Sequence, residues 1–287
     1  MALRLRLEEI SYSYPLPGRQ EAAALGGVNL EVSPGDIFCV AGANGSGKST
    51  LAQVCAGLLA PTSGRVLYGE ESVYERGDLR EFRRKTGLLF QSPEDQLFAD
   101  SVRKDIAFGP RNHGLRGEQL TDTVEKAAEL VGLSLEKLGD RSPFSLSEGE
   151  KRRAALAGVL ALRPEVLLLD EPFIGLDYEG REHLKRALLR YREDAGASII
   201  VVTHELSDIW PLATCFTIID GGKLQRFEER ADLLSGDVDI NALGMKLPQW
   251  GILARELLSS GISLEDPADP RVLATAIAAH REANRGR

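Results

Sequence analysis

Nine residues, "GANGSGKST" from Gly42 to Thr50, fit the pattern G-x-x-x-x-G-K-[ST] between an apolar run, Ile37 to Ala41, and a helical run, Leu51 to Leu59. Strand, glycine-rich turn and helix together form the context in which backbone amides cradle a phosphate. Gly42, Gly45 and Gly47 let the loop amides, those of Ala43, Asn44 and Ser46 included, turn inward, and the helix starting near Thr50 adds its dipole. Lys48 is then expected to reach the β and γ phosphates and the Ser49 hydroxyl to ligate Mg²⁺. Further on, "EVLLLDEP" is an apolar strand ending in two carboxylates. They fall at the carboxyl edge of a parallel sheet, where ligands of such sheets bind. Asp170 is expected to hold the Mg²⁺ water shell and Glu171 to orient or deprotonate an attacking water, because phosphoryl transfer asks for positioning and charge neutralisation.

Two more segments carry candidate chemistry. "SLSEGEKRR" precedes the stripe Leu156, Val159, Leu160, and Ser147 with Glu150 three residues later fits a helix capping box. A helix start capped in this way, with Gly149, also leaves amides free for a phosphate. His204 ends the apolar strand "SIIVVT", which is the position expected of a group working at the same sheet edge.

These residues need a sheet and helices to position them. Strand-like runs at Val28 to Val32, Asp36 to Ala41, Thr86 to Phe90, Val166 to Asp170, Ser198 to Thr203 and Phe216 to Asp220 alternate with helical periodicity, as in Leu184, Ala187, Leu188 and Tyr191. This predicts an α/β fold with a mostly parallel sheet. Strand signals vanish between Ser92 and Arg163, where Val124, Ala127, Ala128 and Val131 trace a helical stripe, so a helical subdomain is expected over 93–162 between core segments 1–92 and 163–228. A small helical appendage is expected over 229–287, with "REANRGR" as a frayed tail. The balance of 35 basic and 43 acidic residues gives a net charge of −8, with no long basic block, so nucleic acid is not an expected ligand. Cys39, Cys55 and Cys215 are scattered in apolar segments, which fits a reducing cytoplasm rather than a disulfide framework or zinc site. "MALRLRLEEI" alternates as a half-buried strand does, and no apolar run reaches the length of a membrane span.

The phosphate loop, Gln91 after a strand, "LSEGE", "LLLDEP" and His204 occur in the order of ATP-binding-cassette ATPases, and the chain resembles that family over residues 3 to about 228. The resemblance implies a P-loop NTPase fold, ATP and Mg²⁺ as cofactors, and a dimer in which Ser147 and Gly149 grip the ATP held by a facing subunit. It also implies that Tyr14 stacks on adenine and that Gln91 reaches Mg²⁺ and the water. Asp177 in "IGLD" would communicate across the dimer, and His204 would contact the γ-phosphate. The signature departs from the usual Leu-Ser-Gly-Gly-Gln, with Glu148 for the first glycine and Glu150 for the glutamine.

"FQSPEDQLF" followed by "DIAFGPRN" resembles the ATPases of energy-coupling factor importers of cobalt and vitamins. In that branch a short helix here lines a groove for a coupling helix of the membrane scaffold, the T component. The resemblance implies that Leu97 and Phe98 supply apolar contact and that Glu94 and Asp95 pair with incoming arginines. It further implies a second ATPase subunit, identical or paralogous, an indirect membrane S component that binds the solute, and peripheral attachment at the cytoplasmic face of the membrane. "LPQWGILARELLSSGI" is similar to the region of that branch that contributes to dimerisation. A soluble cassette ATPase of repair or translation control is the alternative, and such proteins usually carry a coiled-coil insertion or a second cassette. A module that holds ATP without turnover is opposed by Glu171 and His204.

Overall fold

The structure is a computed structural model that describes residues 4–15, 21–75, 79–227, 230–234 and 240–285. The chain opens with β1 (Leu5–Tyr14), β2 (Ala22–Val32), β3 (Ile37–Ala41), α1 (Lys48–Cys55), β4 (Ser63–Tyr68), β5 (Glu71–Ser72), α2 (Leu79–Lys85) and β6 (Thr86–Leu89). A helical stretch follows, with α3 (Val102–Asn112), α4 (Gly117–Leu130), α5 (Leu135–Leu138) and α6 (Glu148–Leu160). The chain then returns through β7 (Val166–Asp170), α7 (Tyr178–Ala195), β8 (Ser198–Thr203), β9 (Cys215–Asp220) and β10 (Lys223–Phe227). It closes with α8 (Arg230–Leu234), α9 (Gln249–Ser259) and α10 (Pro270–Arg285).

Six strands form one sheet in the order β10-β9-β3-β8-β7-β6, parallel except for β10 at its edge. Alternate residues of its central strands feed two separate cores. Phe38, Val40, Leu168, Ile200 and Val202 pack with α1 and the β1–β2–β4 layer. Cys39, Leu167, Leu169, Ile199 and Val201 pack on the opposite face with apolar residues of α3, α4, α6 and α7. A parallel sheet covered on both faces explains why its strands read as unbroken apolar runs. The predicted stripes Val124, Ala127, Ala128, Val131 and Leu184, Leu188, Tyr191 are buried in the second core, and Ala187 of the latter stripe is also buried.

A second, antiparallel sheet of order β2-β1-β4-β5 was not expected from the sequence beyond its first two strands. The tail expectation is also corrected, since α10 continues to Arg285. Its Ala, Arg and Glu residues are strong helix formers, and Leu273 anchors the helix in the core. Residues 286 and 287, and the expected boundary at 228/229, lie outside the described residues.

Four connections leave the carboxyl edge of the six-stranded sheet side by side: 42–47 after β3, Phe90 and Gln91 after β6, Glu171 after β7 and His204 after β8.

Candidate functional site

The loop after β3 is held tightly from below. A methyl group on Gly42 would run into the carbonyl of Ile219, and one on Gly47 would lie 2.6 Å from the carbonyl of Ala24. Gly47 also has φ 108, a conformation open to glycine and costly for other residues. The Gly42 N–H donates to the carbonyl of Thr203 (3.1 Å), which ties the loop to the end of β8. Lys48, buried at the start of α1, donates to the carbonyls of Gly42 (2.8 Å) and Ala43 (2.9 Å). Burial pushes its pKa down, and the carboxylates of Glu171 and Asp170 push it back up.

A cavity of about 490 Å³ opens above this loop. Asn44, Gly45, Gly47, Lys48, Ser49 and Thr50 line its floor, Gln91, Asp170 and Glu171 one wall, and Tyr14 with Ala22 to Ala24 the other. The Tyr14 hydroxyl lies 3.1 Å from Oγ1 of Thr50 and its ring meets Tyr12 edge-on. Tyr14 thus has its hydroxyl fixed while its side chain borders the cavity. Gly42, Ala43 and Ser46 shape the loop and are not among the lining residues.

The two carboxylates at the end of β7 are both buried but differ in environment. Glu171 Oε2 accepts from the Thr203 hydroxyl (2.8 Å), and Oε1 accepts from the His204 backbone N–H (2.9 Å) and lies 2.7 Å from His204 Nδ1. With the carboxylate ionised, Nδ1 carries the proton and donates. His204 thereby reaches the site through Glu171, and it is not among the residues lining the cavity. Glu171 has φ 49, the left-handed region, which costs a non-glycine residue about 1 kcal/mol or more and clusters at functional sites. Asp170 has an Oδ1 with no hydrogen-bond partner. Desolvation raises its pKa, opposed by the hydrogen bond from Ser49 and the charges of Lys48 and Arg152.

An unpartnered buried carboxylate oxygen beside a serine hydroxyl is the donor set a hard cation takes. Among the described residues no group of three or more His, Cys, Asp or Glu forms a metal cage. A cation held by Ser49, Asp170 and Gln91 would therefore draw its other ligands from water and phosphate, as Mg²⁺ does.

A family model described as ABC transporter matches residues 25–174. The chain belongs to the ABC transporter family. It is 36% identical over 265 residues to the energy-coupling factor transporter ATP-binding protein EcfA2 of Clostridium perfringens, covering 92% of this chain and 93% of that one. Among solved structures it is similar to cbiO1 of C. perfringens, part of the ABC transporter complex cbiONQ, with a TM-score of 0.72, 33% identity and coverage of 88% and 99% of the two chains. The ATP-binding cassette MJ0796, solved as a dimer in a post-hydrolysis state with ADP and Pi, gives 0.71 and 27%, covering 78% of this chain and 98% of that one. The fold is thus the α/β cassette of ABC ATPases.

The remaining ABC motif residues lie outside the cavity in this single chain. Ser147 is the N-cap of α6, with the predicted capping box complete: Glu150 N–H donates to its Oγ (3.4 Å), and its own N–H (2.9 Å) and hydroxyl (2.8 Å) donate to Oε2 of Glu150. These bonds hold the Glu150 carboxyl below the usual range. Gly149 follows in the first turn, and the Glu148 side chain pairs with Lys151 (2.9 Å). Asp177 caps α7, accepting from the Gly180 N–H (2.8 Å).

In the 90–98 segment Pro93–Asp95 form a single 3₁₀ turn. Leu97 does not belong to an exposed surface: it is 3% exposed and packs in the core beside Val102 and Ile106, so it anchors the turn instead of contacting a partner. Glu94 is already bonded to Lys151 (2.9 Å), while Asp95 is exposed. Phe98, 58% exposed, meets the ring of Phe108, 48% exposed, at 4.7 Å between centroids. Phe108 was missed from the sequence, although a large aromatic off the buried Val102–Ile106 stripe of α3 marks it. Asp105 fastens the two segments by accepting from the N–H groups of Phe98 (2.9 Å) and Ala99 (2.8 Å). Lys151, Arg152 and Thr203 were missed as well, since nothing in their spacing announces what they bond.

Proposed function

We propose that the chain is the ATP-hydrolysing motor subunit of an energy-coupling factor importer, converting ATP binding and hydrolysis at a subunit dimer interface into uptake of a vitamin or metal ion through membrane components. The observation that carries this reading is the cavity in which the phosphate loop faces Asp170, Glu171 and Gln91, in a chain similar over nine tenths of its length to an EcfA2. The loop amides and Lys48 would bind the phosphates, and Tyr14 would border the adenine. Ser49, Asp170 and Gln91 would hold Mg²⁺, which neutralises charge on the phosphates. Glu171, fixed by Thr203 and His204, would orient the attacking water and take its proton. Ser147 and Gly149 would close on the ATP of a facing ATPase subunit, with Asp177 near that interface. Asp95, Phe98 and Phe108 would meet a scaffold helix of the T component, and α9 would contribute to the dimer. The exposed Trp250 and Ile252 of α9 support that assignment. Among the described residues no helix is long and apolar enough to cross a membrane; attachment through the scaffold would put the chain at the cytoplasmic face.

The test is steady-state hydrolysis of Mg-ATP by the purified chain and by Glu171→Gln, together with binding of a fluorescent ATP analogue. The variant should bind as the parent does and lose 10²-fold or more in turnover, on the order of what removing a positioned general base costs. Equal turnover in the two proteins would show that the base lies elsewhere.

A further inference from the structure

Arg152 is 7% exposed, and its guanidinium lies under the catalytic edge, where none of the roles above uses it. Its Nη1 donates to the carbonyl of Glu171 (2.8 Å) and its Nη2 to the carbonyl of Gln91 (2.9 Å). One planar fork therefore spans the connections after β6 and β7, the two segments that supply the wall of the cavity. Its own residue sits on α6, five positions after the cap Ser147, about 7.5 Å along the axis of a rigid helix.

We propose that Arg152 is a positioning residue for hydrolysis, which holds the backbones of Gln91 and Glu171 at a fixed separation and ties both to the helix that begins at Ser147. This rests on the reading that Gln91 and Glu171 serve the attacking water.

Three observations carry it. Glu171 adopts φ 49, and a strained backbone persists only where its surroundings over-determine it. Here the Glu171 N–H donates to the carbonyl of Val202 (2.9 Å), and the carbonyl has Arg152. Secondly, the carbonyl of Gln91 follows a strand that has already ended at Leu89, so Arg152 supplies a partner that the sheet does not. Thirdly, a buried cation is tolerated only with compensation. Burial pulls the Arg152 pKa down, while the carboxylates of Glu148, Glu94, Glu171 and Asp170 favour the charged form. Lysine cannot copy the arrangement, because an ammonium is a point charge without the two parallel donors of a guanidinium.

The geometry also links two sites. Ser147 and Gly149 at the start of α6 are not among the residues lining this chain's own cavity, whereas Arg152 on the same helix is bonded to that cavity's wall. A displacement of α6 on engaging a second subunit's ATP would be felt at Gln91 and Glu171 through this guanidinium.

The experiment compares the full-length chain with Arg152→Lys and Arg152→Met for kcat, KM for Mg-ATP, affinity for a fluorescent ATP analogue and thermal unfolding. Arg152→Lys should fold, bind the analogue within about threefold of the parent and lose tenfold or more in kcat at nearly unchanged KM, since small misplacements of catalytic groups act on turnover. Arg152→Met should lose more, so that the charge of lysine gives partial rescue. An Arg152→Lys protein with parental kcat overturns the proposal. So does one that is unfolded, or one whose KM and analogue affinity worsen as much as its kcat, because the guanidinium would then support the fold and not the chemistry. A parent chain that hydrolyses no ATP, alone or with a paralogous ATPase subunit, removes the function proposed above, and Arg152 with it. An active parent with an unimpaired lysine variant removes Arg152 alone.

Discussion

Burying two carboxylates side by side is costly, and Asp170 and Glu171 meet the cost differently. Glu171 is satisfied by Thr203 and His204. Asp170 keeps one oxygen without a partner and has its pKa raised, chiefly by desolvation. For an acid whose folded pKa lies above its unfolded one, the folded state binds the proton more tightly. The destabilisation is therefore absent below the unfolded pKa and complete above the folded one. Asp170→Asn should accordingly melt higher than the nucleotide-free parent at pH 7, by about 2 °C or more if the unsatisfied charge costs ~1 kcal/mol. The difference should shrink as pH falls through the raised pKa, and Mg-dependent ATPase activity should be lost at every pH. Thermal melts at pH 4 to 8 check this, and a variant that is less stable than the parent at pH 7 would mean that Asp170 supports the fold. That both residues stand at a ligand edge was legible in "VLLLDEP", because strand end and acid coincide there. Their different environments were not, since Ser49, Thr203 and His204 are brought to them only by the fold.

At the scale of elements, legibility followed burial. β7 and β8 were read with their observed bounds because both faces are covered and every residue but the terminal Asp170 is apolar or small. β4 was missed because Ser63, Gly64 and Arg65 are exposed and only Val66 to Tyr68 are buried. β5 has two residues and no pattern to show. Leu97 and Phe98 are neighbours of similar hydropathy, and only packing separates the buried one from the exposed one. For α6, the capping box was legible because it is local, whereas Arg152 bonds residues 19 and 61 positions away. The same helix start explains how Glu148 is accommodated. It sits in the first turn, where the helix dipole favours an acid, and Lys151 pairs with it and with Glu94. Glu148→Gly should therefore cost about 1–2 kcal/mol of stability, the sum of one dipole term, one surface pair and the low helix propensity of glycine. ATPase activity should stay equal or rise, because the Ser147 cap and its bonds to Glu150 are untouched. A large loss of turnover in a folded variant would give Glu148 a role of its own.

Across the whole molecule, the nucleotide cavity and the Phe98–Phe108 surface are built from separable parts. The cavity is made by the carboxyl edge of the six-stranded sheet, and the aromatic pair by the turn after β6 and the outer side of α3. Leu97 and Asp105 anchor this surface from within, so its exposed rings can change without opening the core. Contact with the cavity runs through Glu94 and Lys151 to α6, and through Gln91 at the start of the same connection. If Phe98 and Phe108 are the apolar centre of a scaffold contact, burying both contributes about 3–5 kcal/mol to association. Phe98→Ser with Phe108→Ser should then weaken assembly by 10²-fold or more. Solute uptake in vesicles should fall with it. ATP binding by the isolated chain should be unchanged and its thermal stability within about 1 kcal/mol of the parent, as for surface substitutions. The measurements are affinity of the purified subunit for the membrane scaffold, uptake in reconstituted vesicles, and nucleotide binding in parallel. Normal assembly by the double variant would make the pair an ordinary exposed contact between two rings. Loss of nucleotide binding as well would show that the turn supports the cavity, and the separation of motor from coupling surface would fail.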